Sequence, residues 1–299
     1  MPKILAIIVS YNAREIIDLP LQSLQRSTIE VDVLCIDNSS HDGTADYLRA
    51  KYPEIETILL EKNIGFGRAN NIGIKICLDR AYDYALLLNQ DASIEPDCLK
   101  TLVKVSMENS SYGIFSPIHR GDNASRLDQN FSAYLSSSGT PYLIDDLLLN
   151  NSIRDVYQAR FLNAAIWLMT QECLKLVGVF DEDFVHYGED EEYCLRALRI
   201  GLKLGVVPSA IGRHVRYKAP VNPEDKNFSS IEHMKFSSLL VEYKSLQSSN
   251  LRAASYLARR FLCEIVATAM MADFRATLTC AKVYPRVISF ILRRCLRSF

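Results

Sequence analysis

Four short apolar runs near the start of the chain, separated by helical stretches, constrain the fold more than any other feature. Residues 3–9, 31–36, 55–60 and 84–88 read as strands, and 13–25, 44–51 and 65–78 read as helices between them. Strands alternating with helices of that length close into right-handed crossover units on a parallel sheet whose two faces are both covered. The run from Tyr84 to Leu88 shows no polar alternation, the pattern of a strand buried on both sides. At 299 residues, 48% of them hydrophobic, the chain has ample core for one large α/β domain or two smaller ones.

That fourth run stops abruptly at Asn89-Gln90-Asp91, and Glu95-Pro96-Asp97 then opens a helix with proline in its first turn. Open α/β sheets bind ligands at the carboxyl ends of their strands. A carboxylate flanked by amides there suits a hard divalent cation that keeps several waters and bridges phosphate oxygens. Taken alone, Asp91 would read as a cap between strand and helix; its context changes that reading. The glycine fingerprint of dinucleotide sites is absent, since Ser10-Tyr-Asn-Ala-Arg14 follows the first strand and Gly65-Phe-Gly67 spaces its next glycine, Gly73, wrongly. Hydride-transfer chemistry is therefore disfavoured.

Several motifs occur in a definite order: Ile8-Val-Ser-Tyr-Asn12, Ile36-Asp-Asn-Ser-Ser40 with Asp42-Gly-Thr44, Asn63-Ile-Gly-Phe-Gly-Arg-Ala-Asn70 and Leu88-Asn-Gln-Asp91. Gly178-Val-Phe-Asp-Glu182 and Gly188-Glu-Asp-Glu-Glu-Tyr-Cys-Leu-Arg196 follow. As a set, covering residue 3 to about 217, they resemble the signatures of family 2 inverting glycosyltransferases, and the Asn63–Asn70 version is most similar to the bacterial rhamnosyltransferase-like branch. The resemblance implies a GT-A-type α/β fold: a mostly parallel central sheet flanked by helices, with a Rossmann-like nucleotide-binding half (1–118) and an acceptor half (119–217). Residues 218–299 lie outside it and read as a helical C-terminal extension.

The resemblance also implies roles. The donor, a nucleotide diphosphate-sugar such as dTDP-rhamnose, would be met by Val9, Tyr11, Asp37, Asn38, Arg68, Asn70, Asn89, Gln90 and Asp91. Asp37 is either a contact to the base or a cap for its own turn, and Arg68 either a diphosphate contact at a helix N-terminus or a solvated helix charge. Asp91 would hold Mg²⁺ or Mn²⁺; Asn89 stands where the family's full motif has a second aspartate, which weakens the site and leaves open whether Asn89 meets the ion, its waters or the sugar. His214 is either a further metal ligand or a structural histidine. Four consecutive acids, Glu189 to Glu192, suit a helix N-terminus but repel one another, so capping alone does not call for that density. By resemblance Asp190 is the general base that deprotonates the acceptor hydroxyl, and Glu189 orients it. Glu191 and Trp167 fall on the acceptor side, although Trp167 reads more readily as core than as a sugar platform. Arg196 is expected to pair with the acids.

Residues 119–160 carry little readable pattern, and 222–230 read as a mobile loop. From 251 to 299 there are nine basic and two acidic residues, about +7 against −1 for the whole chain, beside an apolar face that includes Leu251, Ala254, Leu257, Val283, Val287 and Ile291. Such helices lie on an anionic membrane or pack on the domain or a second copy. No nucleic-acid-binding module accompanies the basic tail. Eight cysteines without a C-x-x-C pair read as small buried hydrophobes of a reducing compartment, and the short apolar start suits a strand, so the expected location is cytoplasmic, peripheral to the inner membrane face. The expected activity is transfer of a sugar to a polysaccharide or lipid-linked acceptor. The alternatives are a catalytically silent nucleotide-sugar-binding protein and, less favoured, an oxidoreductase.

Overall fold

Strand β1 (Ile4–Ser10) sends alternate side chains into two different cores, Ile4, Ala6 and Ile8 to one and Leu5 and Ile7 to the other. That is the period-two geometry of a strand with helices on both sides, and it explains why the run carries no polar residue until Ser10. The computed structural model describes residues 2–135, 139–218, 231–246, 250–271 and 273–297, so the expected loop at 222–230 lies outside the described residues.

The elements follow in chain order: α1 (Asp18–Gln25), β2 (Asp32–Asp37), α2 (Thr44–Lys51), β3 (Glu56–Leu59), α3 (Phe66–Asp79), β4 (Tyr84–Leu88), β5 (Ala92–Ile94), α4 (Cys98–Glu108) and β6 (Tyr112–Arg120). Two short helices, α5 (Gln129–Tyr134) and α6 (Leu143–Leu148), occupy the stretch that resisted reading. Then come β7 (Tyr157–Ala159), β8 (Ile166–Thr170), α7 (Gln171–Val177), α8 (Glu189–Arg199), β9 (Lys203–His214), α9 (Ile231–Ser245), α10 (Asn250–Met270) and α11 (Phe274–Arg297).

The described strands form one sheet in the order β3-β2-β1-β4-β8-β6-β9-β5, with β7 also on β9. The first four of that order are all parallel, as the alternation of strands and helices predicts. Beyond β4 the sheet is mixed: β8 runs antiparallel between β4 and β6, β6 and β9 are parallel, and β5 and β7 run antiparallel to β9. One face packs on α1 and α4 through Leu21, Leu24, Leu99 and Leu102; the other packs on α3 and α7 through Ala69, Ile74 and Leu174. Helix α3 sits very close to β1, because a Cβ on Gly73 would fall 2.5 Å from Ile7 Cγ2.

The chain divides into two compact units: Met1–Asp183 with Tyr193–Pro220, and Phe184–Glu192 with Val221–Phe299. The acid-rich segment Phe184–Glu192 thus groups with the C-terminal helices, whereas the sequence boundaries place it in the acceptor half. In the second unit α11 packs on α9 and α10, burying Leu239, Leu240, Leu257, Val283, Tyr284, Val287 and Ile291. Ion pairs Lys235–Glu264 and Arg260–Glu242 cross between helices. Much of the tail's apolar face is therefore internal to this unit. A different set is exposed: Leu262, Val266, Met270, Met271, Phe274 and Leu278, around the α10–α11 turn. No described helix is long and apolar enough to cross a membrane. Six of the described cysteines are buried and Cys263 is exposed.

Candidate active site

Three loops leave the sheet where β1, β2 and β4 end, and side chains lace them together. Asp37, buried at the end of β2, accepts from Ser10 Oγ (3.0 Å), Ser40 Oγ (2.6 Å) and the Ser40 amide (2.9 Å). Asn38 donates to Asn63 Oδ1 and accepts from the Ile64 amide, both at 2.9 Å, which fixes the turn leading into α3. Gln90 grips Tyr11 on both sides, its Oε1 accepting from the Tyr11 amide (2.7 Å) and its Nε2 donating to the Tyr11 carbonyl (3.2 Å). Asn12, at φ +47°, accepts from the His41 amide. The structure thus brings Val9, Tyr11, Asp37, Asn38 and Gln90 to one strand-end cluster. It also gives Asp37 the bonds of a turn cap, the plainer of its two readings.

Arg68 and Asn70 are engaged elsewhere. The Arg68 guanidinium donates through Nε (2.9 Å) and Nη2 to the Glu182 carbonyl, so it clasps the turn at 182. Asn70, 1% exposed, donates back along its own helix to the Phe66 carbonyl (3.0 Å). Its neighbour Asn71 pairs with both the amide and the carbonyl of Phe180, a contact the sequence did not suggest. Arg196 donates to the carbonyls of Val177 and Val179. Trp167 is fully buried in β8 and stacked on Phe180 at 6.1 Å. That corrects its acceptor-side placement, because the ring reaches no surface on which a sugar could rest.

The densest constellation surrounds Asp91. Ala92 pairs with His214 across β5 and β9, which carries His214 Nε2 to 3.3 Å from Asp91 Oδ1. Asp91 Oδ2 accepts from the Tyr217 amide at 2.8 Å. Asn89 Oδ1 is buried without a hydrogen-bond partner, an expensive condition for an amide oxygen that a ligand would relieve. Among the described residues no three His, Cys, Asp or Glu side chains converge as a metal cage. A carboxylate and an imidazole side by side, with an orphaned amide oxygen near in sequence, nevertheless fit a Mg²⁺ or Mn²⁺ ion that takes its other ligands from waters and phosphate oxygens.

Behind His214 lies a second carboxylate, Asp128. It caps α5 by accepting from the Phe131 amide (2.8 Å), and Arg216 holds it through Nε and Nη2 at 2.5 and 2.6 Å. Burial pushes the Asp128 carboxyl up, but the Arg216 guanidinium and the Phe131 amide outweigh that and hold it below the usual range. His119 lies close by, fully buried and stacked on Phe131 at 4.6 Å; burial, reinforced by His214, pushes it down to about 3, so it is neutral. Asp128 and His119 were missed because their stretch has no periodicity. The one available signal was Arg216, two residues after His214.

In the second unit, α9 anchors the acid-rich segment from below. The His186 carbonyl accepts from His233 Nε2 (2.9 Å) and Ser237 Oγ (3.2 Å). Gly188 turns the chain at φ +90°, where a side chain would also press on Val241 and Phe184. The acids that follow open α8, at the end of the helix dipole that favours them. Glu189 is 6% exposed with Oε2 unpartnered, and burial together with the adjacent Asp190 charge pushes its carboxyl up to about 8. Asp190 is half-buried and its Oδ1 accepts from the Glu191 amide (2.9 Å); Glu191 itself is exposed. Two adjacent carboxyls in such different surroundings hold their protons to different extents.

The sequence model of glycosyl transferase family 2 matches residues 5–165, from β1 to just short of β8. The chain belongs to glycosyl transferase family 2. Over 214 residues it is 26% identical to a dTDP-rhamnosyl transferase, RfbF, of Shigella flexneri, a match spanning 69% of this chain and 66% of that protein, just under two thirds of its length. It is 25% identical over 229 residues to an N-acetylglucosaminyl-diphospho-decaprenol L-rhamnosyltransferase of Mycobacterium tuberculosis, covering 68% of this chain and 72% of that one. Among solved structures, GalNAc-T7 with UDP, GalNAc and Mn²⁺ superposes with a TM-score of 0.62 at 16% identity, over 81% of this chain and 49% of that one. The fold of this family 2 member is thus of the GT-A glycosyltransferase type, with helices following the sheet at its C-terminal end.

Proposed function

We propose that this protein transfers a sugar, with inversion, from a nucleotide diphosphate donor to a hydroxyl of a saccharide or lipid-linked acceptor. The observation that carries the reading is the Asp91–His214 pair at 3.3 Å, set at the carboxyl end of β4 where open α/β sheets take ligands. Asp91 and His214 would hold a Mg²⁺ or Mn²⁺ ion, whose charge neutralises the diphosphate as it leaves. Asn89, with its orphaned oxygen, would meet the donor or the ion's waters. The laced loops at Asp37, Asn38 and Tyr11 would hold the nucleotide. Asp190 would take the acceptor's proton as its oxygen attacks the anomeric carbon opposite the diphosphate. Inversion requires one such base and no covalent intermediate. Glu189, kept protonated by burial, leaves the charge of the pair on Asp190.

The rhamnosyltransferases among its relatives make dTDP-rhamnose the first donor to test. The test is a panel of nucleotide sugars scored for release of nucleoside diphosphate in the presence of candidate acceptors. Metal-dependent release from one donor is the expected result. Tight donor binding without diphosphate release in the presence of any acceptor would favour the silent binding protein, and absence of nucleotide-sugar binding would overturn the reading.

A peripheral membrane location is the second part of the proposal. Its support is the exposed set at the α10–α11 turn, with Met270, Met271 and Phe274 each 78–83% exposed and the exposed cation Arg275 next to Phe274 in the chain. Apolar tips beside a cation suit an anionic lipid surface.

A further inference from the structure

A cavity of about 350 Å³ opens in the first unit, away from the strand-end cluster. Tyr112, Tyr142, Tyr157, Arg154, Gln158 and Arg160 line it. Strand β7 pairs with residues 204–206 at the start of β9, whereas His214 ends that strand. Val206 lies opposite Ser116 and Arg213 opposite Arg120, so at ~3.3 Å per residue the cavity is on the order of 15 Å from His214 along the sheet. Gly205 makes room for two of its walls, since a Cβ there would fall 2.5 Å from Val156 Cγ2 and 3.0 Å from Tyr112 Cδ1. The polar groups are locked in place. Asp146, 6% exposed, accepts from the Tyr157 hydroxyl (2.8 Å), Arg154 Nε (3.1 Å) and Asn151 Nδ2 (3.2 Å). The Arg154 guanidinium, so held, stacks on the Tyr142 ring at 4.8 Å. Tyr142 itself stands at φ +71°, a left-handed conformation that a bulky residue keeps only when its surroundings impose it. Its ring is 58% exposed, so burial does not offset that strain.

Concave aromatic walls with a few fixed polar groups are the usual make-up of a small-ligand site. Here the side-chain amide of Gln158 and the two guanidinium groups supply donors beside the tyrosine faces. A sugar ring suits that combination, because its C–H face packs on an aromatic ring while its oxygens accept hydrogen bonds. Charge narrows the choice. Arg160 is exposed and has no acidic partner among the described residues, and Lys203 Nζ lies over the Tyr112 ring at 5.5 Å. Cations of this kind favour a carboxylate or a phosphate. We propose that this cavity is a saccharide-binding site separate from the donor site, taking a sugar ring that bears a carboxylate or phosphate group. The ring would lie against Tyr142 and Tyr112, with the anionic group on Arg160. Calling the ligand a saccharide rests on the reading of this protein as a sugar transferase, whose acceptor would supply such a unit. The cationic, aromatic character of the cavity does not depend on that reading.

Saturation-transfer NMR on the full chain tests this, with glucuronate, glucose 6-phosphate and glucose as probes and inorganic phosphate as a competitor. Excess nucleoside diphosphate with Mg²⁺ is added to fill the donor site. Saturation of the ring protons of glucuronate and glucose 6-phosphate is expected, with little from glucose. That signal should be lost in Tyr142→Gly and in Arg160→Gln. Both substitutions alter exposed side chains, and glycine accepts φ +71° freely, so melting should stay close to the parent's. A merely structural Tyr142 gives the reverse, lower melting in Tyr142→Gly with the ring-proton signal untouched, and that would overturn the proposal. So would a parent that shows no ring-proton saturation, or a signal that survives Arg160→Gln, the variant to rely on should Tyr142→Gly not fold. Glucose 6-phosphate displaced by inorganic phosphate at equal concentration, with no signal from glucuronate, would make the cavity a plain anion site and remove the saccharide. None of these readings uses turnover. A silent donor panel beside a positive result here would remove the transferase reading alone, and the opposite pattern would remove the cavity assignment alone.

Discussion

Asp91 and His214 are 123 positions apart in the chain and 3.3 Å apart in space, and the antiparallel register that places Ala92 opposite His214 is the cause. Strand β5 has only three residues. It nevertheless fixes the relation between a loop at the end of β4 and the last residue of β9. The carboxylate is further pinned by the Tyr217 amide, so the pair is preorganised.

This pairing predicts the outcome of Asp91→Ala. Donor binding that depends on Mg²⁺ or Mn²⁺ is expected to be lost, while the fold survives, since the side chain lies at the sheet's rim outside both apolar cores. Calorimetry of donor binding with and without metal is the check; equal affinity of variant and parent would dismiss the metal assignment.

The fold itself was largely legible. Residues 4 to 88 carry short apolar strand runs and amphipathic helices whose spacing dictates parallel crossovers, and β1, β2, β3 and β4 are parallel neighbours as expected. The order of motifs pointed to the family. What the sequence could not convey was the partners of polar side chains. Arg68 at a helix N-terminus looked like an anion contact, yet a carbonyl 114 positions away takes its guanidinium. Asp128 sits in a stretch with no periodicity because its work is done by one cap and one ion pair. The apolar stripe on α10 and α11 was visible, but a stripe does not say what covers it, and most of this one is covered by its own unit.

Packing offers a test of the α3–β1 contact. In an ordinary helix interior Gly→Ala is stabilising by roughly 1 kcal/mol. At Gly73 the new methyl would meet Ile7 Cγ2 at 2.5 Å, and overpacking of that kind costs about 1–3 kcal/mol. Gly73→Ala is therefore expected to lower stability in denaturant titration, and adding Ile7→Ala should remove the clash while opening a cavity on its other side. A more stable Gly73→Ala would mean the two elements are less tightly apposed than described.

Glu189 predicts a pH dependence of stability. Its carboxyl is pushed from an ordinary 4.5 to about 8 in the folded chain, so the native state holds a proton that the unfolded chain releases. Stability from this group is fully present below about pH 4.5 and is lost as pH rises through about 8. Glu189→Gln removes the titration, so its melting temperature relative to the parent should climb between about pH 5 and about pH 8.5. A difference that is flat across that range would show that Glu189 ionises normally.

Membrane association is tested best by surface substitution. Deleting residues 251–299 would strip Val283, Val287 and Ile291 from the core of the unit that also contains Phe184–Glu192. Replacing Met270 and Met271 by Gln and Phe274 by Ser alters only highly exposed side chains. Sedimentation with anionic vesicles is expected to fall to near the lipid-free background with melting unchanged, since each apolar side chain withdrawn from lipid forfeits roughly 1.5–3 kcal/mol, about tenfold or more in partitioning. Equal sedimentation would remove the membrane assignment, and loss of a dimer in the same variant would assign the patch to a second copy instead.

The sharpest test concerns Asp190. Asp190→Asn keeps the side chain's shape and its ability to accept from the Glu191 amide, but an amide cannot take a proton from an acceptor hydroxyl. Loss of a general base costs on the order of 10²–10⁴ in rate. Donor affinity should stay close to the parent's, because the donor is assigned to the strand-end cluster around Asp37 and Asp91. Glu189→Gln should cost less at neutral pH, since a carboxyl pushed up to about 8 is already protonated there and glutamine reproduces its neutral form. A purely structural role for the acids makes the opposite forecast: lower melting temperature, with each folded molecule turning over at the parent's rate. Turnover per folded molecule, measured beside donor affinity and melting for both variants, separates the two. Near-parental turnover in folded Asp190→Asn would remove it as the base and move the search to the neighbouring carboxylates Asp181, Asp183 and Glu191.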